Sequence, residues 1–287
     1  MDRTRLALSA TEATGVSRFV QVSSPSVAHS GSALAGVGTE PASPEHALSE
    51  YARTKAQAEL LALASDSDTM RVVAIRPHPV WGPGDTQLVG LIVDRARRGR
   101  LPLLNGVAVL IDTTYIDNAA SGIVAALHRA EVAHGKAYVL TNGEPRPVGD
   151  ILAGICIASG VQPPRWSIPA GIGRTAGSLV DRVWAVCPRA DEPPMTRFLA
   201  EQLSTAHWFD QRDIRQALDW SPPVSIDEGL RFEHGRVRSG NEPLGSQEDN
   251  VMADKSPKKA TAKTVASKSL KEKRADKKDK AASKRKD

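Results

Sequence analysis

Arg18-Phe19-Val20-Gln21-Val22-Ser23-Ser24, followed after a stretch rich in Ser, Gly, Ala and Pro by Ser49-Glu50-Tyr51-Ala52-Arg53-Thr54-Lys55, decides how this chain is read. The first run is short and rich in β-formers, as a buried strand is, and it ends in two hydroxyls. In the second, Ser49 offers an N-cap for a helix running to about residue 64. The helical period then puts Tyr51 and Lys55 on one face, one turn apart.

Outward from these two runs the pattern alternates. A helix over 3–14, ended by Gly15, precedes the strand at 18–23, and residues 24–48 read as an irregular loop. Arg71–Ile75 is the next strand, stopped at Pro77. A turn at Trp81-Gly82-Pro83-Gly84-Asp85 leads into a helix over roughly 86–98. Helices at about 117–131 and 147–160 flank a strand at 137–140. Further helices are expected near 171–186, 194–205, 210–218 and 226–234. Strands alternating with helices predict an α/β fold with a parallel sheet and a more helical C-terminal lobe. The expected divisions are 1–160, 161–238 and a tail, 239–287.

Charge separates the tail from the body. Residues 251–287 hold 14 of the 38 Lys and Arg but 5 of the 33 Asp and Glu, so the net +5 conceals a mildly acidic body. Within the body only Lys55 and Lys136 are lysines, which sharpens any motif that needs one. The tail has no aromatic residue and alternates lysine with small residues, so it is expected to be disordered when free. It reads as a solubilising tail, with weak, salt-sensitive binding to polyanions as the alternative. The two cysteines, Cys156 and Cys187, form no Cys-x-x-Cys pair, and no histidines cluster at ligand spacing. No metal site or disulfide framework is expected, and a reducing compartment fits. With no run of about 18 apolar residues and no signal-peptide pattern, the expectation is a soluble, cytoplasmic protein.

A phenol and an ammonium one helical turn apart suit proton transfer at a hydroxyl or carbonyl. A free tyrosine has a pKa of about 10 and is a poor base near neutrality. A nearby cation favours the phenolate, making such a residue usable as general acid or base. Ser24, at the end of the preceding strand, is placed to hold the substrate oxygen.

The runs Phe19–Ala28, Tyr51–Lys55, Ile75-Arg76-Pro77 with Trp81–Asp85, Thr114–Ala120 and Phe209–Pro222 stand in the order and spacing of the extended short-chain dehydrogenases, which this chain resembles over about residues 3–235. Val27-Ala28 looks more like the 3β-hydroxysteroid dehydrogenase branch than the sugar-nucleotide epimerases. The resemblance implies a Rossmann-like sheet and NAD or NADP as cofactor. It makes Tyr51 the acid/base, Lys55 its partner and ribose anchor, and Ser24 the carbonyl-orienting hydroxyl. Ser23 and Pro77-His78-Pro79-Val80 would lie along the nicotinamide, His78 as a loop residue giving backbone contacts. The implied activity moves a hydride between nicotinamide and a secondary alcohol or ketone of a hydrophobic, sterol-like substrate. A sugar-nucleotide epimerase or dehydratase keeps the same Ser, Tyr and Lys, and an inactive remnant with a polyanion-binding tail is the non-enzymatic alternative. A hydrophobic small molecule is the expected partner, with a homodimer as the expected assembly.

One departure is plain. The strand and Gly-rich turn that open the family's fold, and seat the pyrophosphate on a helix N-terminus, do not precede residue 18. Either a start further upstream or a decayed fragment is expected, with strand 18–23 left as an apolar open edge. The run Gly171-Ile172-Gly173-Arg174-Thr175-Ala176-Gly177 does not replace that turn, because no β-run precedes it and its spacing is wrong.

Overall fold

The computed structural model describes residues 2–29, 31, 33–104, 109–169, 171 and 205–238. In chain order the elements that frame the site begin with α1 (Asp2–Ala13), β1 (Arg18–Val22), β2 (Leu34–Val37), α2 (Glu50–Leu63), β3 (Arg71–Pro77) and β4 (Val80–Trp81). Next come α3 (Leu88–Arg97), β5 (Leu103–Leu104), β6 (Leu110–Ile111), β7 (Thr114–Tyr115), α4 (Ile116–His128) and α5 (Ala130–Ala133). The rest are β8 (Lys136–Leu140), β9 (Arg146–Pro147), α6 (Val148–Ala158), β10 (Ser167–Ile168), β11 (His207–Phe209), α7 (Arg212–Leu218) and α8 (Ile226–Arg238).

β1, β3 and β8 make a parallel sheet in that order, with Val20 opposite Val73 and Ile75 opposite Tyr138. The expected α/β architecture is therefore present. β3 reads Val72-Val73-Ala74-Ile75 without polar interruption because both of its faces are covered. Val72 points into a cluster with Leu8, Ala62 and Met70 beneath α1 and α2. Val73 and Ile75 point the other way, against Ala119, Ala126, Leu140, Ile214 and Leu218 beneath α4 and α7. β1 has one strand neighbour among the described residues, and its Val22 is 42% exposed.

α2 starts as the sequence implies. Ser49 is extended, and its hydroxyl accepts from the Ala52 amide at 3.1 Å. What fixes the helix against the sheet was less visible. Arg76 of β3 donates twice to Glu59 of α2, at 2.9 and 2.5 Å, with each side chain 1% exposed. The remaining guanidinium nitrogen donates to the Glu40 carbonyl at 2.7 Å.

The loop expected over 24–48 contains β2, which joins a second sheet in the order β2-β11-β6-β9. At Gly36 the backbone turns to φ +66 and passes under the Trp208 ring, where a Cβ would collide with the indole. This strand therefore carries a glycine, and its β signal is lost. β11 also went unread, since His207-Trp208-Phe209 is too short to show alternation. The helices expected at 171–186 and 194–205, the Gly171–Gly177 run beyond its first residue, and the tail lie outside the described residues. Among the described residues, no helix is long and apolar enough to cross a membrane, and no cluster of His, Cys, Asp or Glu is arranged to hold a metal ion.

Candidate active site

The C-terminal ends of β1 and β3 and the first turn of α2 open onto a cavity of about 370 Å³. Ser24, Pro25 and Ser26 leave β1 along one wall, with Ser49 and Tyr51 of α2 beside them. Pro77, His78 and Pro79 form the next wall as β3 gives way to β4. α3 and α6 contribute only aliphatic side chains: Leu88 and Ile92 from one, and Val148, Ile151, Leu152 and Ile155 from the other. The last wall is built by the second sheet, with Leu34 of β2, Ile111 of β6, and His207 and Phe209 of β11. Among the described residues, no lysine or arginine lines this space.

Of the residues singled out from the sequence, Ser24, Tyr51, Pro77 and His78 meet at this cavity. Tyr51 is 57% exposed. Ser24 shares a hydrogen bond with Ser26 between their hydroxyl oxygens at 2.9 Å, and its Oγ also caps the short 3-10 turn Pro25–Val27. Lys55 lies one turn further along α2 and donates from Nζ to the Val22 carbonyl at 3.1 Å, at the end of β1. Ser23 is buried, and its Oγ has no partner. Val80 is not part of the lining; it pairs with Thr114 and packs against the core cluster beneath α4.

His78 does more than the backbone role expected of it. Its Nδ1 lies 2.6 Å from the Asp112 carbonyl, which can only accept, so the proton of the neutral ring sits on Nδ1. The ring stands edge-on to Phe209 at 5.2 Å, and the His207 ring is 6.2 Å away. His29 lies 5.0 Å from His207. Burial holds His78 down to about 3 and His207 to about 4, each ring further disfavoured by its neighbouring imidazole. His207 is 3% exposed, and neither of its nitrogens makes a hydrogen bond. The Thr205 backbone favours the charged ring slightly, against the larger effect of burial.

Behind this wall Asp112 is fully buried. Thr141 Oγ1 donates to it at 2.6 Å and the Glu144 amide at 3.3 Å. Desolvation still outweighs these bonds and raises its pKa to about 6. The sequence offered no route to His29 and His207, because 178 positions of chain separate them.

A parallel sheet whose edge strand ends in serines, backed by a helix presenting Tyr and Lys a turn apart, is the arrangement of an extended short-chain dehydrogenase. The chain belongs to the 3-beta hydroxysteroid dehydrogenase/isomerase family, whose model matches residues 1–170. It is 39% identical over 229 residues to a 2-alkyl-3-oxoalkanoate reductase of Stenotrophomonas maltophilia, covering 78% of this chain and 69% of that protein. A 2-alkyl-3-oxoalkanoate reductase of Shewanella oneidensis is 33% identical, over 78% of this chain and 61% of its own length. A decarboxylating sterol-4-alpha-carboxylate 3-dehydrogenase of Mus musculus is 28% identical, over 75% of this chain and 62% of that one. The chain thus spans roughly two thirds of these relatives. Among solved structures, a UDP-glucuronic acid 4-epimerase of Bacillus cereus in complex with NAD shares the fold. Its TM-score is 0.58 at 20% identity, over 83% of this chain and 67% of that one. The family is one of oxidoreductases that work with NAD or NADP.

Two features of the site suit the nicotinamide end of such a cofactor. The Ser23 hydroxyl is buried without a partner at the end of β1, and the Lys55 ammonium beside it has donors left over from its single bond to Val22. Among the described residues, no Gly-rich turn joins a strand to a helix N-terminus in a way that would seat a pyrophosphate.

Proposed function

We propose that this chain carries the reacting centre of an NAD(P)-dependent oxidoreductase that interconverts a ketone and a secondary alcohol on a hydrophobic carboxylic acid. The observation that carries the reading is the meeting of Tyr51 and Ser24 on one cavity whose opposite walls are aliphatic. In the direction of reduction, Ser24 Oγ and the Tyr51 phenol hold the substrate oxygen. The tyrosine gives its proton to that oxygen as negative charge develops, and Lys55 stabilises the phenolate left behind. When bound, NAD(P)H supplies the hydride. Ser23 and Lys55 would hold its nicotinamide and ribose.

Two considerations support the carboxylate. A 2-alkyl-3-oxoalkanoate carries its acid on the carbon next to the ketone, and a sterol-4-carboxylate bears its acid next to the carbon oxidised at position 3. The sterol-like substrate expected from the sequence is thus one member of a wider class, β-oxo and β-hydroxy acids with bulky apolar groups. The aliphatic walls from α3 and α6 favour that class over a sugar nucleotide, which would bring many hydroxyls needing partners. The test is NAD(P)H oxidation by the full chain with a 2-alkyl-3-oxo acid. Reduction to the 3-hydroxy acid is expected. Interconversion of UDP-sugars with no net use of cofactor would overturn the reading.

A further inference from the structure

We infer that the wall formed by His29, His78 and His207 is the carboxylate-binding subsite of this cavity, and that it takes up one proton when the acid binds. The inference rests on the oxidoreductase reading above for the substrate class, but the residues come from the geometry alone. A carboxylate entering a cavity lined by aliphatic side chains must find donors there. Among the described residues no lysine or arginine lines the space, and on the reading above Ser24 and Tyr51 are engaged with the reacting oxygen. The other lining hydroxyls are tied into the protein: Ser26 to Ser24, Ser49 to the Ala52 amide and Thr113 to the Trp81 indole. The three imidazoles stand on the opposite side. They come from three separate pieces of chain: the segment after β1, the β3–β4 junction and β11. All three rings line the cavity, with centroids 5.0 and 6.2 Å from that of His207.

His207 supplies the second observation. An imidazole 3% exposed with both nitrogens unpartnered is costly unless a ligand completes it. One of its nitrogens carries a proton in either neutral tautomer, so it has a donor to give. His78 differs. Its Nδ1 proton is committed to the Asp112 carbonyl, so its other nitrogen presents a lone pair, which repels a carboxylate. His78 can join in binding only by gaining a proton there, and solvent supplies it. Among the described residues, the groups facing the trio do not offset this. Asp112 turns its carboxyl away onto Thr141 and the Glu144 amide. Tyr51 lies on the α2 wall, and the α3 and α6 walls contribute no titratable lining residue. In the empty pocket the His78 and His207 rings are neutral; the ligand's charge makes the imidazolium favourable.

The experiment compares 2-butyl-3-hydroxyoctanoate with its methyl ester, by isothermal titration calorimetry on the full chain in buffers of different ionisation heat. The acid should bind at least ~10-fold more tightly than the ester at about pH 6. Its affinity should rise by up to ~10-fold per unit as pH falls from about 8 to about 6, with close to one proton taken up. The ester should show neither effect. His78→Gln should flatten the slope, and His207→Gln should shrink the acid-to-ester ratio. Should either variant fail to fold, the wild-type comparison decides alone. Equal binding of acid and ester, or a preference with no proton uptake, overturns the inference.

Turnover is scored separately. Acid and ester reduced alike would leave the oxidoreductase and remove the histidine subsite. Acid bound with proton uptake but never exchanging hydride would do the reverse. Binding of neither ligand overturns both.

Discussion

Replacing Arg76 with methionine leaves the Glu59 carboxylate enclosed between α2 and β3 with no counter-charge. Each partner is 1% exposed, so solvent cannot stand in for the missing group. Breaking a buried pair from one side costs about 3–5 kcal/mol. With a urea m-value toward the upper part of the range of about 1–3 kcal/mol/M, the unfolding midpoint should fall by roughly 1–2 M. Glu59→Met should cost a similar amount, leaving the guanidinium stranded. The double variant Arg76→Met/Glu59→Met should recover most of the loss, because two apolar side chains need no partner. The remaining deficit should be about 1–2 kcal/mol, from the Glu40 carbonyl that Arg76 also served. Urea unfolding of all four proteins closes the cycle and should give a coupling of at least ~2 kcal/mol. Single variants that each lose less than about 1 kcal/mol, or losses that simply add in the double, would refute the reasoning. The same bonds set where α2 lies on the sheet, so the single variants should also lose order at Tyr51.

Further outcomes follow from the cavity and its surroundings. Asp112 titrates near 6 when folded, above its unfolded value, so its contribution to stability is present at low pH and lost as pH rises through about 4 to 6. His78 and His207, depressed to about 3 and 4, act in the opposite sense and lose stability as pH falls below about 6.5. Asp112→Asn should therefore steepen the acid-side loss of unfolding free energy by about 1.4 kcal/mol per pH unit between about pH 4 and 6, measured by denaturant titration across that window. An unchanged slope would mean Asp112 is already ionised in the folded protein. Leu88→Phe projects a ring from α3 into the cavity and should shift preference toward shorter alkyl chains, read as KM across a chain-length series. Lys55→Met should weaken NADH binding, followed by fluorescence titration, while far-UV circular dichroism stays native.

The half of the site built by local sequence was legible, and the half built by topology was not. Ser49 caps α2 in the sequence and in three dimensions, so the placing of Tyr51 and Lys55 on one face needed only the helical period. β3 was readable because both faces are buried and every residue from Val72 to Ile75 is apolar. β2 was hidden by Gly36, whose positive φ serves the Trp208 contact. β11 was hidden by its brevity, and it is paired with β2 by a register that no local pattern reveals. The histidine wall depends on that pairing, since it brings His207 of β11 within 5.0 Å of His29. Val80 shows the converse limit. Standing two residues from His78, it was expected beside the nicotinamide, yet its pairing with Thr114 turns it into the core.

Deuteride transfer tests the central claim most directly. The full chain is incubated with NADH deuterated at C4 and a 2-alkyl-3-oxo acid, and the product is analysed by mass spectrometry beside that of Tyr51→Phe. The account predicts deuterium on the new carbinol carbon, with the rate falling by about 10²–10⁴ in the variant while its fold is kept. Equal incorporation by wild type and Tyr51→Phe, or none by a folded wild type that binds NADH, would contradict it.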